Sequence, residues 1–232
     1  IAALLAVAAA SAGAGGHSHP AAAAPQRASF DPSGFRARVD HPLVPLARVR
    51  VTVLEGHERG DTGAIVATRT VARVRHRTAT VAGVRSTVVA VRDYEDGELV
   101  EATRDFYAQR RGGTVLYMGE DVDDYERGRV VGHGGQWRAG THGAKAGIFM
   151  PARPRLGQAF AQERAPGVAE DHSKIVAVGR TVTTPAGRFT GCVRTRDVSP
   201  LDRKAEFKFY CPGVGLVRED VEGGRAVLVR YR

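Results

Sequence analysis

The sequence is short of the residues on which many activities depend. It has two cysteines, two methionines and one tryptophan, and lysine stands only at positions 145, 174, 204 and 208. The cysteines lack a CxxC spacing and the nearest histidine in sequence is His172, which speaks against a catalytic thiol. No G-x-S-x-G elbow, H-E-x-x-H, S-x-x-K, P-loop or dinucleotide fingerprint is present, so the common hydrolase and nucleotide-binding classes have no support. Asp171-His172-Ser173 puts three triad-type residues side by side, but a triad is assembled from separate elements and adjacency supplies no geometry. An apolar run of about 18 residues, as a bilayer-spanning helix needs, is also missing. No segment beyond the first residues keeps an i, i+3, i+4, i+7 apolar stripe for three turns, so little helix is expected.

What is present begins with a leader. Residues 1–16, IAALLAVAAASAGAGG, have the apolar stretch and small-residue tail of a secretory signal peptide, with A-x-A sites at Ala10-Ser11-Ala12 and Ala22-Ala23-Ala24. Ile1 stands where a Met and a basic stretch would precede such a leader, so a start upstream is expected. No Cys follows the apolar run, which argues against a lipid-anchored form. Residues 17–38 are rich in Ala, Pro and polar groups and read as a flexible linker, and 39–232 as a single β domain. The expected location is the cell envelope or the secreted fraction.

The formal net charge is +9, carried almost entirely by arginine. Outside the cell such charge favours anionic polymers, phosphate headgroups or acidic glycans. Aromatic residues are not interleaved with the basic ones, so no nucleic-acid role is expected. Arg73, Arg75 and Arg77 share one face of an alternating segment, extended by Arg48 and Arg50 if the strands pair, and could take phosphate or carboxylate in bidentate fashion. Solvated arginines with no ligand are the alternative.

Valine occurs 30 times and leucine 11 times, a bias towards pleated sheet. Alternation and turn residues predict strands at 48–54, 64–77, 85–94, 98–109, 114–122, 129–139, 158–164, 173–182, 188–197, 205–211, 214–221 and 225–231. DYEDGELV at 93–100 is echoed by DYERGRVV at 124–131, each placing x-Gly where a two-residue hairpin turn needs positive φ. A dozen strands are too many for one flat sheet, so the expected fold is all-β and mainly antiparallel, a curled meander forming a half-barrel or barrel. The glycine-rich stretch 132–147 and the Met150-Pro151-Ala152-Arg153-Pro154 segment interrupt the pattern and mark the first place to look for function.

Cys192 and Cys211 lie on the arms of a predicted hairpin. If Asp197 pairs with Glu206, the register sets Val193 opposite Tyr210 and the cysteines opposite each other, close enough for a disulfide. Two free buried thiols are the alternative.

Several phrases resemble a broad family of exported, β-rich bacterial proteins without an agreed activity: Asp105-Phe106-Tyr107-Ala108-Gln109, Tyr117-Met118-Gly119-Glu120-Asp121, Gly147-Ile148-Phe149-Met150-Pro151-Ala152, Thr184-Pro185-Ala186-Gly187-Arg188-Phe189 and Tyr210-Cys211-Pro212-Gly213-Val214-Gly215-Leu216-Val217. The resemblance implies export and a β fold, and implies no mechanism. The chain departs from it at Pro42–Ala47, which lacks an expected Pro-Gly, and at Cys211, where relatives carry a small residue; the second departure makes the disulfide a peculiarity of this chain. The PAGxF hairpin is also similar to elements of periplasmic half-barrels that carry apolar molecules.

Two further sets of candidates follow. Glu120, Asp121 and Asp124, within GEDVDDYE, could offer oxygens to Ca²⁺, and His133 and His142, together with His172, could converge on Zn²⁺. The acidic segment fails the EF-hand spacing, alternation splits Glu120 and Asp124 from Asp121 and Asp123, and no histidine pair has a metal-ligand spacing. A solvated acidic strand end and solvated loop histidines are the simpler reading, so no cofactor is predicted. Tyr107, Tyr117 and Trp137, with Arg73 and Arg75, are the candidates for a small apolar or anionic ligand. The overall expectation is a non-enzymatic binding protein, with a metal-binding protein or metal-dependent hydrolase as the alternative.

Overall fold

The computed structural model describes residues 31–36, 38–60, 63–201 and 205–232; the predicted leader and the linker up to residue 30 lie outside them. The strands are β1 (Phe35–Arg36), β2 (Val51–Arg59), β3 (Ile65–Val81), β4 (Val84–Glu95), β5 (Glu98–Arg110), β6 (Val115–Glu126), β7 (Arg129–Gly132), β8 (Trp137–Arg138), β9 (Gly147–Met150), β10 (Ala159–Ala161), β11 (His172–Thr184), β12 (Gly187–Val198), β13 (Ala205–Cys211), β14 (Gly215–Val221) and β15 (Gly224–Tyr231). A 3₁₀ turn at Pro32–Gly34, capped by the Asp31 carboxylate on the Ser33 N–H, is the sole helical element among the described residues. No helix there is long and apolar enough to cross a membrane.

All fifteen strands belong to one antiparallel sheet: twelve follow the order β10-β11-β12-β13-β14-β15-β2-β3-β4-β5-β6-β7, β1 pairs with β5, and β8 and β9 pair with β6. The meander follows chain order except where β15 returns to pair with β2, Tyr231 opposite Thr52. The strand path is open, so the curled meander is a half-barrel and not a closed barrel. Its ends nevertheless approach. β9 lies along β6, the Lys145 N–H donates to the Arg164 carbonyl at 2.9 Å, and a Cβ on Gly147 would lie 1.9 Å from the Gln162 carbonyl oxygen, an approach only glycine permits.

The echoed turns behave as the sequence predicts: Asp96-Gly97 and Arg127-Gly128 all have positive φ and connect β4 to β5 and β6 to β7. Their backbone twist matches that of the flanking strands. Three elements differ from the sequence expectation. The run at 129–139 divides into β7 and β8 because Gly132 to Gly135 carry the chain off the edge of β6. Within the glycine-rich stretch and just past it, β8 and β9 both pair with β6. Phe35 and Arg36, read as the end of the linker, pair with Arg110 and Gln109 of β5.

Curling gives the sheet an inner and an outer face. The inner face closes one large apolar cluster drawn from both halves, including Leu54, Val89, Met118, Met150, Ile175, Leu216 and Leu228. Burial of each such side chain contributes about 1.5–3 kcal/mol. Val51, Val53 and Val71 form a small second cluster on the outer face, with Tyr94 against it.

Candidate functional site

The outer face of β3, β4 and β5 is organised by cross-strand register. One row runs Val51, Arg73, Ala90, Arg104 and Asp121; the next runs Val53, Val71, Arg92, Ala102 and Asp123. Arg69 stands opposite Tyr94 one step further along, and Tyr94 opposite Leu99. Strands are about 4.8 Å apart, so Arg73 and Arg104 project about 10 Å from each other with only the methyl group of Ala90 between them. Arg92 lies diagonally across that gap. The result is a groove of about 330 Å³ lined by Arg69, Arg73, Arg75, Arg92 and Arg104 over Val71, Ala90, Ala102, Tyr94, Leu99 and Tyr125, with Asp123 as its acid.

The arginines at the rim are partly neutralised. Asp121 accepts from Arg104 at 2.9 Å and from Arg138 in bidentate fashion at 2.8 and 2.7 Å. Glu55 lies 3.4 Å from Arg69, whose guanidinium also sits 5.8 Å from the Tyr94 ring centre. Among the described residues Arg73, Arg75 and Arg92 have no carboxylate partner. Arg75 also lines two neighbouring grooves, where it meets Arg50, His76 and Arg85. The expected extension of the stripe is found at Arg50, which reaches the Val74 carbonyl and the His76 ring. Arg77 lines none of these three grooves.

Sequence reading found Arg73 and Arg75 but missed Arg92, Arg104 and the alanines between them. Counting residues outward from the Asp96-Gly97 turn would have aligned Arg92 with Glu101, but the register slips by one residue at Asp93/Tyr94 and sets Arg92 opposite Ala102, which a count alone does not show.

The inner face carries a second, unexpected feature. Tyr107 and Tyr117 stack at 5.1 Å, Phe149 stands edge-on to Tyr107 at 4.9 Å, and Trp137 edge-on to Tyr117 at 5.6 Å. All are buried, so Tyr107, Tyr117 and Trp137 come together inside the sheet, away from Arg73 and Arg75. The carboxyls of Asp93, Asp105, Glu120, Glu163, Asp197 and Glu219 are also buried; Asp105 and Glu120 neighbour the tyrosines, and Asp197 and Glu219 lie against a buried lysine. Lys208, 3% exposed, approaches Glu206 at 2.8 Å, Glu219 at 3.3 Å and Asp197 at 3.7 Å. Burial works against its charge, but these three acids outweigh it and hold its pKa well above the usual lysine range.

Several of the interior acids have raised pKa values. Burial raises Asp93 to about 7 against a hydrogen bond from Thr70, and raises Glu101 to about 8 with help from Asp93 and Asp124. Glu163 rises to about 8 through burial and Asp171, and Glu219 to about 7 through burial despite Lys208. Glu120 is pushed well above its normal range by burial, Glu163 and Asp105. The Tyr117 hydroxyl faces Glu120 and the Trp137 indole faces Glu163, tending to hold both carboxyls ionised, but neither closes a hydrogen bond of ordinary geometry. Burial outweighs them. The phrases behind the family resemblance supply much of this interior, since Asp105, Tyr107, Tyr117, Glu120, Met150 and Tyr210 all come from them.

The metal candidates are dispersed by strand alternation. Glu120 and Asp124 share the inner face, opposite Asp105 and Glu101, whereas Asp121 points outward to its two arginines. Asp124 accepts from the Gly134 N–H at 2.7 Å. His133 donates through Nδ1 to the Val122 carbonyl at 2.7 Å and lies 3.2 Å from Asp123. His142 is exposed in a turn at φ +48°. Among the described residues no three His, Cys, Asp or Glu side chains are placed to hold a metal ion.

Cys192 and Cys211 form a disulfide between β12 and β13, with Val193 opposite Tyr210 and Asp197 opposite Glu206 as the sequence predicts.

These features define a disulfide-bonded, open half-barrel of antiparallel strands with an arginine-lined outer groove and an acid-rich interior. The sequence matches no family model and no curated protein. A solved structure from Parabacteroides distasonis, named a "putative lipoprotein", is 14% identical with a TM-score of 0.44, over 82% of this chain and 98% of that one. Likeness at that level carries no argument about function.

Proposed function

We propose that this protein is an extracytoplasmic, non-enzymatic binding protein that holds anionic groups on the outer face of β3, β4 and β5. The observation that carries the reading is the groove in which Arg73, Arg75 and Arg92 lie side by side without carboxylate partners. Like charges so placed repel one another, and a bound anion relieves that repulsion while accepting bidentate hydrogen bonds from the guanidinium forks. The disulfide supports a location outside the reducing cytoplasm.

Titration with inorganic pyrophosphate at low ionic strength tests the reading. Binding is expected, weakening steeply as salt screens the exposed charges. Arg73→Ala with Arg92→Ala is expected to lower affinity by at least about tenfold, since charge-assisted hydrogen bonds contribute about 1.5–3 kcal/mol each. Absence of binding, or binding indifferent to the double substitution, would refute the proposal.

A further inference from the structure

The groove is not uniform along its length, and that unevenness points to a class of ligand. At one end Arg73, Arg92 and Arg104 surround Ala90, whose methyl is the smallest side chain the row could carry short of glycine. Three guanidinium groups around a shallow notch match a tetrahedral oxyanion, which has three or four oxygens to offer. At the other end the lining changes to Tyr94, Leu99 and Tyr125. Tyr94 is anchored from below by the outer cluster of Val51, Val53 and Val71. Solvent in this half is in contact with rings and a leucine, and an apolar group would displace it favourably, at about 25 cal/mol per Å² of apolar surface covered.

Charge is graded in the same direction. Arg69, at the apolar end, is already engaged by Glu55 and Tyr94. Arg73 and Arg92, at the notch, are unengaged. Arg104 shares Asp121 with Arg138, so that trio keeps a net positive charge. Asp123 is the acid along the groove and has His133 beside it. A volume of about 330 Å³ is at the small end of the range for ligand sites.

Resting on the anion-binding reading above, we infer that the groove binds a phosphomonoester joined to a short apolar chain or ring, the phosphate over Ala90 and the apolar part along Tyr94, Leu99 and Tyr125. The shared chemistry is a tetrahedral dianion with an apolar group a few ångströms away, whether free in solution or presented at a lipid surface.

The test compares octyl phosphate, inorganic phosphate, uncharged octyl glucoside, and vesicles of one part phosphatidic acid to three parts phosphatidylcholine. Octyl phosphate is expected to bind at least about tenfold more tightly than inorganic phosphate, and octyl glucoside to bind far more weakly than either, since burying a few methylenes contributes about 0.8 kcal/mol each. Ala90→Leu fills the notch without altering any charge and is expected to abolish the binding of both phosphates. Leu99→Ser, at a half-buried surface position, is expected to weaken octyl phosphate alone. Thermal unfolding of each variant confirms that it is folded. Equal affinity for octyl phosphate and inorganic phosphate overturns the inference while the anion-binding reading stands; failure of every anion to bind overturns both. Unchanged binding in Ala90→Leu overturns the notch, because diffuse positive charge would then suffice. Vesicle binding without binding of monomeric octyl phosphate overturns it in favour of a membrane-docking face.

Discussion

At the residue scale, Lys208 governs the interior. Among the described residues it is the one buried lysine or arginine, and its ammonium lies within ion-pair distance of three acids. Removing one partner of a buried charge group leaves the others uncompensated, at a typical cost of about 3–5 kcal/mol. Some of that cost is recovered here, because Glu219 with its pKa near 7 can take up a proton when the lysine is lost. Lys208→Met is therefore expected to destabilise the fold by about 3 kcal/mol, measured by urea unfolding at neutral pH, and by less in mildly acidic buffer. An equal loss at both pH values would contradict the assignment of protons to the acids. None of this was visible in the sequence. Lys208 reads there as an ordinary polar position in an alternating strand, and only its register against Thr195 and Glu219 turns it inward.

At the element scale, the β12–β13 hairpin shows what periodicity can and cannot deliver. Two runs of alternating residues, a turn at Ser199-Pro200-Leu201 and a single assumed pair were enough to place Cys192 against Cys211. Hairpin register propagates without error as long as no bulge intervenes, and between Val193–Val198 and Ala205–Tyr210 none does. The disulfide closes a loop with a sequence separation of 19. Its replacement by two serines is expected to cost about 3 kcal/mol, read as a lower midpoint in urea with a steeper slope, because the unbridged unfolded chain exposes more surface. The same counting would fail on the β4–β5 and β5–β6 hairpins, where bulges at Asp93/Tyr94 and Phe106/Tyr107 shift the pairing by one. Those shifts lie beside the outer groove and the inner tyrosines, so the candidate site was less legible than the fold.

At the scale of the whole molecule, the interior acids set how stability depends on pH. Asp93, Glu101, Glu163 and Glu219 titrate near 7–8 in the folded protein, against about 4 in an unfolded chain. Between those values the folded state binds more protons than the unfolded state, so stability falls as pH rises through the window. The basic groove does not reverse this, since arginines keep their charge throughout. The melting temperature is expected to be higher at about pH 5 than at about pH 8, by roughly 10 °C. A maximum near pH 8 in scanning calorimetry would show that the acids are ionised inside and that some cation compensates them.

Read alone, the sequence determined the strand-rich class, the hairpin turns, the disulfide and the arginine stripe on β3, because each depends on contacts between residues close along the chain or on a period of two. Only the tertiary structure decided that β15 closes onto β2, that Lys208 meets Glu206 and Glu219 inside the sheet, and that Arg92 and Arg104 join Arg73 around Ala90. Those outcomes depend on strand order, curl and one-residue slips in register, which are settled by packing both halves around a common core and leave no local mark in the amino-acid pattern.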